Sequence, residues 1–340
     1  MHPLIKRDME DIYSRRADWD IFDGKNVLLT GAYGMLASYI VYFLFYLKKE
    51  KNIDVTLTAV VRNKDKFYKK FRDLDSIDEC TVIESDLSQK LEISTAVDYI
   101  IHAASLASPQ YYSVCPVDVL QPNTIGNYNL LQLAKEKQVK GYLLFSTGDV
   151  YGAVNVESGL IGEETFGAMN TLDIHNCYSE SKRMAETMCK AFQVQYNLPI
   201  KIARIAHTYA PTMDIVNRQD IVMKSSGAGK RSFCYITDAV AGYFAVLLDG
   251  KAGEAYNVCN TSQYVSIRQL AECLANLYPD RHIHVVQKER SAEEHYTENV
   301  LLLSSESTPD NAKLKNLGWE AKVSIRDGFD RVVRYLEREK

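Results

Sequence analysis

What the chain lacks narrows its classes first. It has no CxxC pair and no HExxH, and its seven cysteines, an odd number, are scattered, as are its seven histidines. Neither a disulfide framework nor a zinc site is indicated, and no metal is expected. A reduced, cytoplasmic setting follows as the expectation. Excess positive charge is also missing: the formal net charge is -4, which argues against a general nucleic-acid binder. The N-terminus mixes Lys6, Arg7, Asp8, Glu10 and Asp11 with apolar residues and so lacks the pattern of a signal peptide. The one membrane-like run, Tyr39 to Leu47, has about half the length a bilayer requires. A buried helix is expected there, with no membrane association. No repeat, low-complexity tract or flexible linker interrupts the 340 residues.

What is present is a series of strands and helices with small or polar residues at the strand ends. Residues 1–20 read as a charged, helical extension. Lys25 to Thr30 then reads as a buried strand, followed by Gly31-Ala32-Tyr33-Gly34-Met35-Leu36-Ala37 and an apolar helix through Leu47. Strand, glycine turn and helix in this order suit a dinucleotide. Gly31 permits the tight turn, Gly34 lets a pyrophosphate approach the backbone, and a small residue at 37 lets helix and strand pack closely. Tyr33 and Met35 belong to the same candidate cofactor site. A second strand, Val55 to Val61, ends in Arg62 where an acidic residue would hold the ribose hydroxyls of NAD. Arginine there suits the 2′-phosphate of NADP or stacking on adenine with NAD bound, so the cofactor is read as NAD with NADP open. Asp86 and Leu87 follow the strand Thr81 to Glu84, and Ala103 and Ala104 follow the strand Val97 to Ile101. Both pairs are expected at strand ends that face the cofactor, and His102 is read as a hydrogen-bonded core histidine.

Further along, the strand Gly141 to Phe145 delivers Ser146-Thr147-Gly148-Asp149, and a helix from about Tyr178 to Tyr196 carries Tyr178 and Lys182 four residues apart on one face. An ammonium beside a phenol stabilises the phenolate, which makes Tyr178 a candidate base for an alcohol proton as hydride leaves. With 22 tyrosines in the chain one such spacing carries little weight by itself; its setting after alternating strands and helices carries more. That alternation predicts an α/β fold: a Rossmann-type, doubly wound parallel sheet with ligands at the carboxyl ends of its strands. Residues 21–200 would form this domain, and 201–340 mainly a smaller, interleaved α/β lobe for the substrate. In that lobe the stretch Tyr209 to Gly229 reads as irregular. Ser266 and Gln269 form a capping box, His282 to Val286 alternates like a strand carrying two histidines on one face, and Ser324 to Glu339 reads as an amphipathic helix.

Glycine turn, Thr-containing strand end and Tyr/Lys pair together resemble the extended short-chain dehydrogenase/reductases that act on nucleotide sugars, from about Asp23 to Tyr335. Within that family the chain is similar to UDP-glucuronate decarboxylases. Their tyrosine motif CYDEGKRxAET is matched by Cys177-Tyr178-Ser179-Glu180-Ser181-Lys182-Arg183-Met184-Ala185-Glu186-Thr187, their SPPHY by Ser108-Pro109-Gln110-Tyr111-Tyr112, their RIFNTYGP by Arg204 through Pro211, and their RSF by Arg231-Ser232-Phe233. The resemblance implies bound NAD taking hydride from C4 of the sugar, Tyr178 taking the hydroxyl proton, Lys182 holding the ribose, and Thr147 bonding the C4 oxygen. It also implies a substrate site with Ser108, Tyr112, His207 and Arg231, and a homodimer formed by the helices Asn123 to Lys137 and Tyr178 to Tyr196.

The chain departs from the family at several positions. A dTDP-glucose 4,6-dehydratase has Asp-Glu after the threonine, whereas Gly148-Asp149 stands here, and a decarboxylase needs no acid at 148. Asp149 would take the place of the decarboxylase glutamate. His207 replaces an asparagine, Ala210 a glycine, and Asp214 to Lys224 is shorter than expected. UDP-glucuronate decarboxylation is therefore the leading expectation. The alternatives are a 4-epimerase or NADPH-dependent 4-keto-sugar reductase, a dTDP-glucose 4,6-dehydratase, and a non-catalytic NAD(P)-binding module.

Overall fold

The computed structural model describes all residues except 155, 157–158, 212–219, 289–306 and 339–340. Most of the expected short Asp214 to Lys224 region lies outside the described residues. Seven strands form one sheet: β1 (Lys25–Thr30), β2 (Val55–Val61), β3 (Thr81–Glu84), β4 (Tyr99–His102), β5 (Gly141–Thr147), β7 (Ile200–Ile205) and β11 (Ala255–Val258). Their spatial order is β11-β7-β5-β4-β1-β2-β3, and every pairing is parallel. The order reverses on either side of β1, which opens a crevice above the carboxyl ends of β1 and β4. This is the doubly wound sheet expected from the alternation of elements.

Strand side chains alternate between the two faces, and each face is covered. Val27 and Leu29 point to a cluster with α2 (Met35–Glu50) and α8 (Ile236–Asp249); Leu28 points to one with α6 (Asn127–Lys137) and α7 (Cys177–Tyr196). The run Tyr39 to Leu47 is buried throughout in α2. Among the described residues no helix is long and apolar enough to cross a membrane. The preceding strand-turn-helix is pinned by one polar knot. His102 is fully buried, its Nε2 donates to Pro122 O (3.0 Å), and its Nδ1 accepts from the Thr30 hydroxyl (2.8 Å). Thr30 Oγ1 in turn accepts from the amides of Ala103 and Ala104 (3.1 Å each). His102 is thus a structural residue that ties the end of β4 to β1, and burial holds its pKa down at about 3.

The extension forms α1 (Pro3–Tyr13) and packs on α2 and α8. Its buried Asp8 accepts from the hydroxyls of Tyr39 (2.9 Å) and Tyr235 (2.7 Å) and from Arg331 (2.7 Å) on the C-terminal helix α11 (Ile325–Arg338). Asp11 pairs with Arg15 (2.8 Å), which also reaches Asp238 (3.0 Å) at the start of α8. The helix therefore joins the chain's two ends through charges satisfied on all sides.

The smaller α/β region is built from short pieces. β10 (Lys230–Tyr235) pairs parallel with β8 (His207–Tyr209) and antiparallel with β12 (Tyr264–Ser266); β6 (Leu160–Ile161) pairs with β14 (Thr308–Pro309). The capping box is formed: Ser266 Oγ accepts from Gln269 N (3.0 Å) while Gln269 Oε1 accepts from Ser266 N (2.9 Å), opening α9 (Ile267–Ala275). Two expectations are corrected. The stretch from Tyr209 to Gly229 contains β9 (Ile221–Met223), and β13 is only Val285–Gln287. His282 has φ 51° as the cap of a short helical turn, and His284 precedes the strand. Among the described residues β13 pairs with the three residues of β9, and both histidines precede that ladder, so the two share no strand face.

Candidate active site

The cofactor side of the crevice is shaped by Gly31 and Gly34. Gly31 has φ 67°, and a Cβ there would lie 2.8 Å from Ala104 Cα. No other residue fits. Gly34 caps α2 without a side-chain hydrogen bond, so the first amides of a 16-residue helix are left for a ligand, flanked by the half-buried Tyr33 and Met35. Ser105 Oγ, just past Ala103 and Ala104, is buried without a partner. An uncapped helix and an orphaned hydroxyl at one strand edge fit a dinucleotide. Arg62 is exposed at the end of β2; Asp86 is exposed and binds Ser88 N (2.9 Å); the Leu87 side chain faces the core.

On the other side, α7 presents Tyr178 and Lys182 to the crevice. Its first residues are aligned by the floor: the Tyr178 ring stacks on Tyr112 with centroids 5.3 Å apart and planes 10° apart. Tyr112 sits in α4 (Gln110–Val114) and gives its hydroxyl proton to Ala107 O (3.1 Å), while Ser108 is exposed in the same turn. Thr147 ends β5, and its hydroxyl accepts from Asp149 N (3.2 Å) and reaches the Tyr178 phenol. The Tyr178 phenol feels the carboxylate of Asp149, and Asp149 and His207 on β8 both feel the guanidinium of Arg231 on β10. Thr147, Asp149, Tyr178, Lys182, Tyr112, Arg231 and His207 are therefore brought to one crevice by six elements. Ser108 is exposed in the turn before α4, and Arg62 is exposed just after β2.

Electrostatics here differ from the expectation in one respect. Lys182 is fully enclosed, its ammonium 5.9 Å from the Tyr178 ring centroid, and donates to Phe145 O (2.7 Å). Desolvation brings its pKa down to about 7, against the pull of Glu186. Tyr178, expected to be acidified, is instead pushed well above the usual phenol range, first by burial and then by the carboxylate of Asp149. Desolvation of a phenolate outweighs an ammonium that is itself half discharged at neutral pH. Asp149 and His207 face the open crevice yet lie deep among protein atoms. That setting raises the Asp149 carboxyl and lowers His207 to about 4, so the imidazole is neutral at pH 7.

Two buried groups beside the pair were not singled out from sequence. Asn123 lies in a single π-helical turn, Pro122–Gly126, and donates to Val119 O and Ser181 Oγ (2.9 Å each) while its Oδ1 is unpartnered. Glu186, eight residues after Tyr178 on the same helical face, takes two bonds from Arg204 (3.0 and 2.7 Å) and one from Ser146 (2.5 Å). Its spacing from Lys182 was a usable signal.

A parallel sheet with a glycine turn after its first strand and a Tyr/Lys pair over its crevice defines a Rossmann-type dinucleotide-binding architecture. The model of the NAD dependent epimerase/dehydratase family matches residues 27–259. The chain belongs to that family. It is 31% identical over 318 residues to UDP-glucuronic acid decarboxylase 6 of Arabidopsis thaliana, covering 89% of this chain and 86% of that one. It is 30% identical to UDP-glucuronic acid decarboxylase 1 of Xenopus tropicalis, covering 93% and 73%. The fold is similar to that of a UDP-glucose 4-epimerase from Thermotoga maritima, with TM-score 0.74 and 20% identity over 92% of this chain and 99% of that one.

Proposed function

We propose that the protein is a decarboxylase of UDP-glucuronate that works by transient oxidation at C4. The observation that carries this reading is Gly148. A Cβ there would meet only Pro309 Cγ, at an ordinary 3.7 Å, so the position has room for a side chain to begin, and the acid that a dehydratase carries after its threonine is not there. A 4-keto hexuronate is a β-keto acid and loses carbon dioxide once C4 is oxidised, with no acid needed to expel a hydroxyl. The curated relatives named above support the same substrate.

Bound NAD supplies the hydride acceptor and a positive charge beside the phenol. Gly31, Gly34, Tyr33, Met35, Ala103 and Ala104 would hold it, with Asp86 and Leu87 at the adenosine side and Arg62 leaving NADP open. Tyr178 takes the C4 hydroxyl proton, and Thr147 bonds the same oxygen. Lys182 is the cation that lowers the cost of the phenolate. Arg231 and the neutral His207 would orient the diphosphate and sugar, with Ser108 and Tyr112 at the sugar's other edge. Asp149, whose carboxyl is raised by its enclosed setting, would hold the sugar and hand a proton to C5 after carbon dioxide leaves. A 4-epimerase or a 4-keto-sugar reductase is the second reading, since neither needs an acid at 148. A homodimer is proposed through α6, the π-helical turn before it and α7, where Ile125, Tyr128, Met184 and Val194 are exposed.

Mass spectrometry tests the decarboxylation, the dimer and the cofactor. Incubation with NAD and UDP-glucuronate is expected to yield a nucleotide sugar lighter by carbon dioxide. Unchanged UDP-glucuronate, or loss of water from UDP-glucose or dTDP-glucose, overturns the decarboxylase. A native mass of one chain removes the dimer, and NADP in the extracted cofactor moves the reading to a reductase.

A further inference from the structure

Lys182 is a buried cation whose own hydrogen bond is to a neutral carbonyl, Phe145 O. Something must hold its charge. On α7 the side chains at 178, 182 and 186 recur every four residues, so Glu186 lies one turn beyond Lys182 on the face that meets β5 and β7. Its carboxylate is almost enclosed, 13% exposed, and three donated bonds fix it: both nitrogens of the Arg204 fork from β7 and the Ser146 hydroxyl from β5. Arg204 is itself held on two further sides, donating to Glu163 O (2.7 Å) and lying 4.9 Å over the Tyr151 ring. This clamped carboxylate stands one helical turn from the desolvated ammonium and pulls its pKa upward.

We propose that Glu186 is a positioning residue, clamped by Arg204 and Ser146 so that its carboxylate keeps Lys182 an ammonium, seated on Phe145 O, at the pH where Tyr178 must lose its proton. This rests on the assignment of Tyr178 and Lys182 to C4 oxidation. The other titratable groups around Lys182 do not replace Glu186. On α7, Cys189 is a buried neutral thiol and Tyr178 a neutral phenol; on β4, His102 is uncharged at neutral pH and spends both nitrogens on Thr30 and Pro122. β5 supplies the Phe145 carbonyl, the Ser146 hydroxyl and the buried, neutral phenol of Tyr142, and β7 the opposing charge of Arg204. The arrangement makes the two halves of the pair act in opposite directions. Glu186→Gln leaves Arg204 facing Lys182 and disfavours the ammonium; Arg204→Gln leaves Glu186 uncompensated and favours it.

The test reads Lys182 directly. In the purified full chain carrying ε-carbon-13 lysine, with and without NAD, the Lys182 resonance is assigned by its absence in Lys182→Met and titrated. Glu186→Gln is expected to lower the midpoint by about one pH unit, and Arg204→Gln to raise it by a similar amount. The alkaline limb of turnover should follow, moving to lower pH in Glu186→Gln with KM for the nucleotide sugar little changed. An unmoved midpoint in a folded Glu186→Gln protein overturns the proposal and leaves the ion pair a structural brace. Should Arg204→Gln fail to fold, as breaking a buried pair can cause, the isosteric Glu186→Gln decides alone. Absence of turnover with any nucleotide sugar would sink the decarboxylase reading, while the lysine titration would still decide this one.

Discussion

Tyr178→Phe is expected to fold as the wild type does and to lose turnover by about a hundred- to ten-thousand-fold, the range spanned by a positioned acid or base. The change removes one hydroxyl and keeps the ring that stacks on Tyr112 at 5.3 Å. It also keeps the volume that closes the floor of the crevice, so a stability change beyond about 1 kcal/mol is not expected. The loss should fall on kcat, because the phenol oxygen is needed only when the C4 hydroxyl gives up its proton. Steady-state kinetics on the nucleotide sugar that reacts, with thermal unfolding as the control, provide the check. Turnover near wild type would remove Tyr178 from the proton's path. Burial and Asp149 push the phenol up, so the rate is expected to rise with pH as the phenolate becomes accessible, until the ammonium of Lys182 is lost.

Lys182→Met should separate activity from stability. Methionine fills a similar elongated volume without charge, and in the fully buried position of Lys182 it removes a desolvated ammonium at the cost of one hydrogen bond to Phe145 O. The variant is therefore expected to be at least as stable as the wild type and yet nearly inactive, by about a thousandfold or more, since the phenolate loses its cation. The pH dependence has a definite sign. The folded pKa of about 7 lies below the ordinary lysine value of 10.5, so between those pH values the unfolded chain binds more protons at this group than the native one, and native stability rises with pH. The stability advantage of Lys182→Met should be largest at or below pH 7 and shrink as pH climbs toward 10.5. Chemical denaturation at a series of pH values reads this directly. A variant that is less stable at pH 7, or a gap that does not change with pH, would show that Lys182 is not a strained cation.

Both predictions concern residues whose spacing was legible in the chain, and their number is not accidental. The strand Lys25–Thr30, the glycine turn after it and the helix bearing Tyr178 and Lys182 are local patterns: apolar runs, a glycine that tolerates φ 67°, a four-residue period. The histidines of 282–284 failed by the same logic, because a strand also needs a partner, and among the described residues the ladder with β9 starts at Val285. Glu186 could be seen as one turn from Lys182, but its function depends on Arg204, 18 residues away, and Ser146, 40 residues away.

The sequence by itself determined the order of elements, the parallel sheet, the glycine cradle and the tyrosine-lysine face, since each is written in neighbours within a few turns of chain. Tertiary structure alone decided the charges. It enclosed Lys182 and Tyr178 so that desolvation moved both away from their ionised forms, set Asp149 beside the phenol, and seated α1 on Arg331 from 323 residues away. The physical reason is that periodicity acts along the chain, while the free energy of a charge depends on every atom around it, whichever part of the sequence those atoms come from.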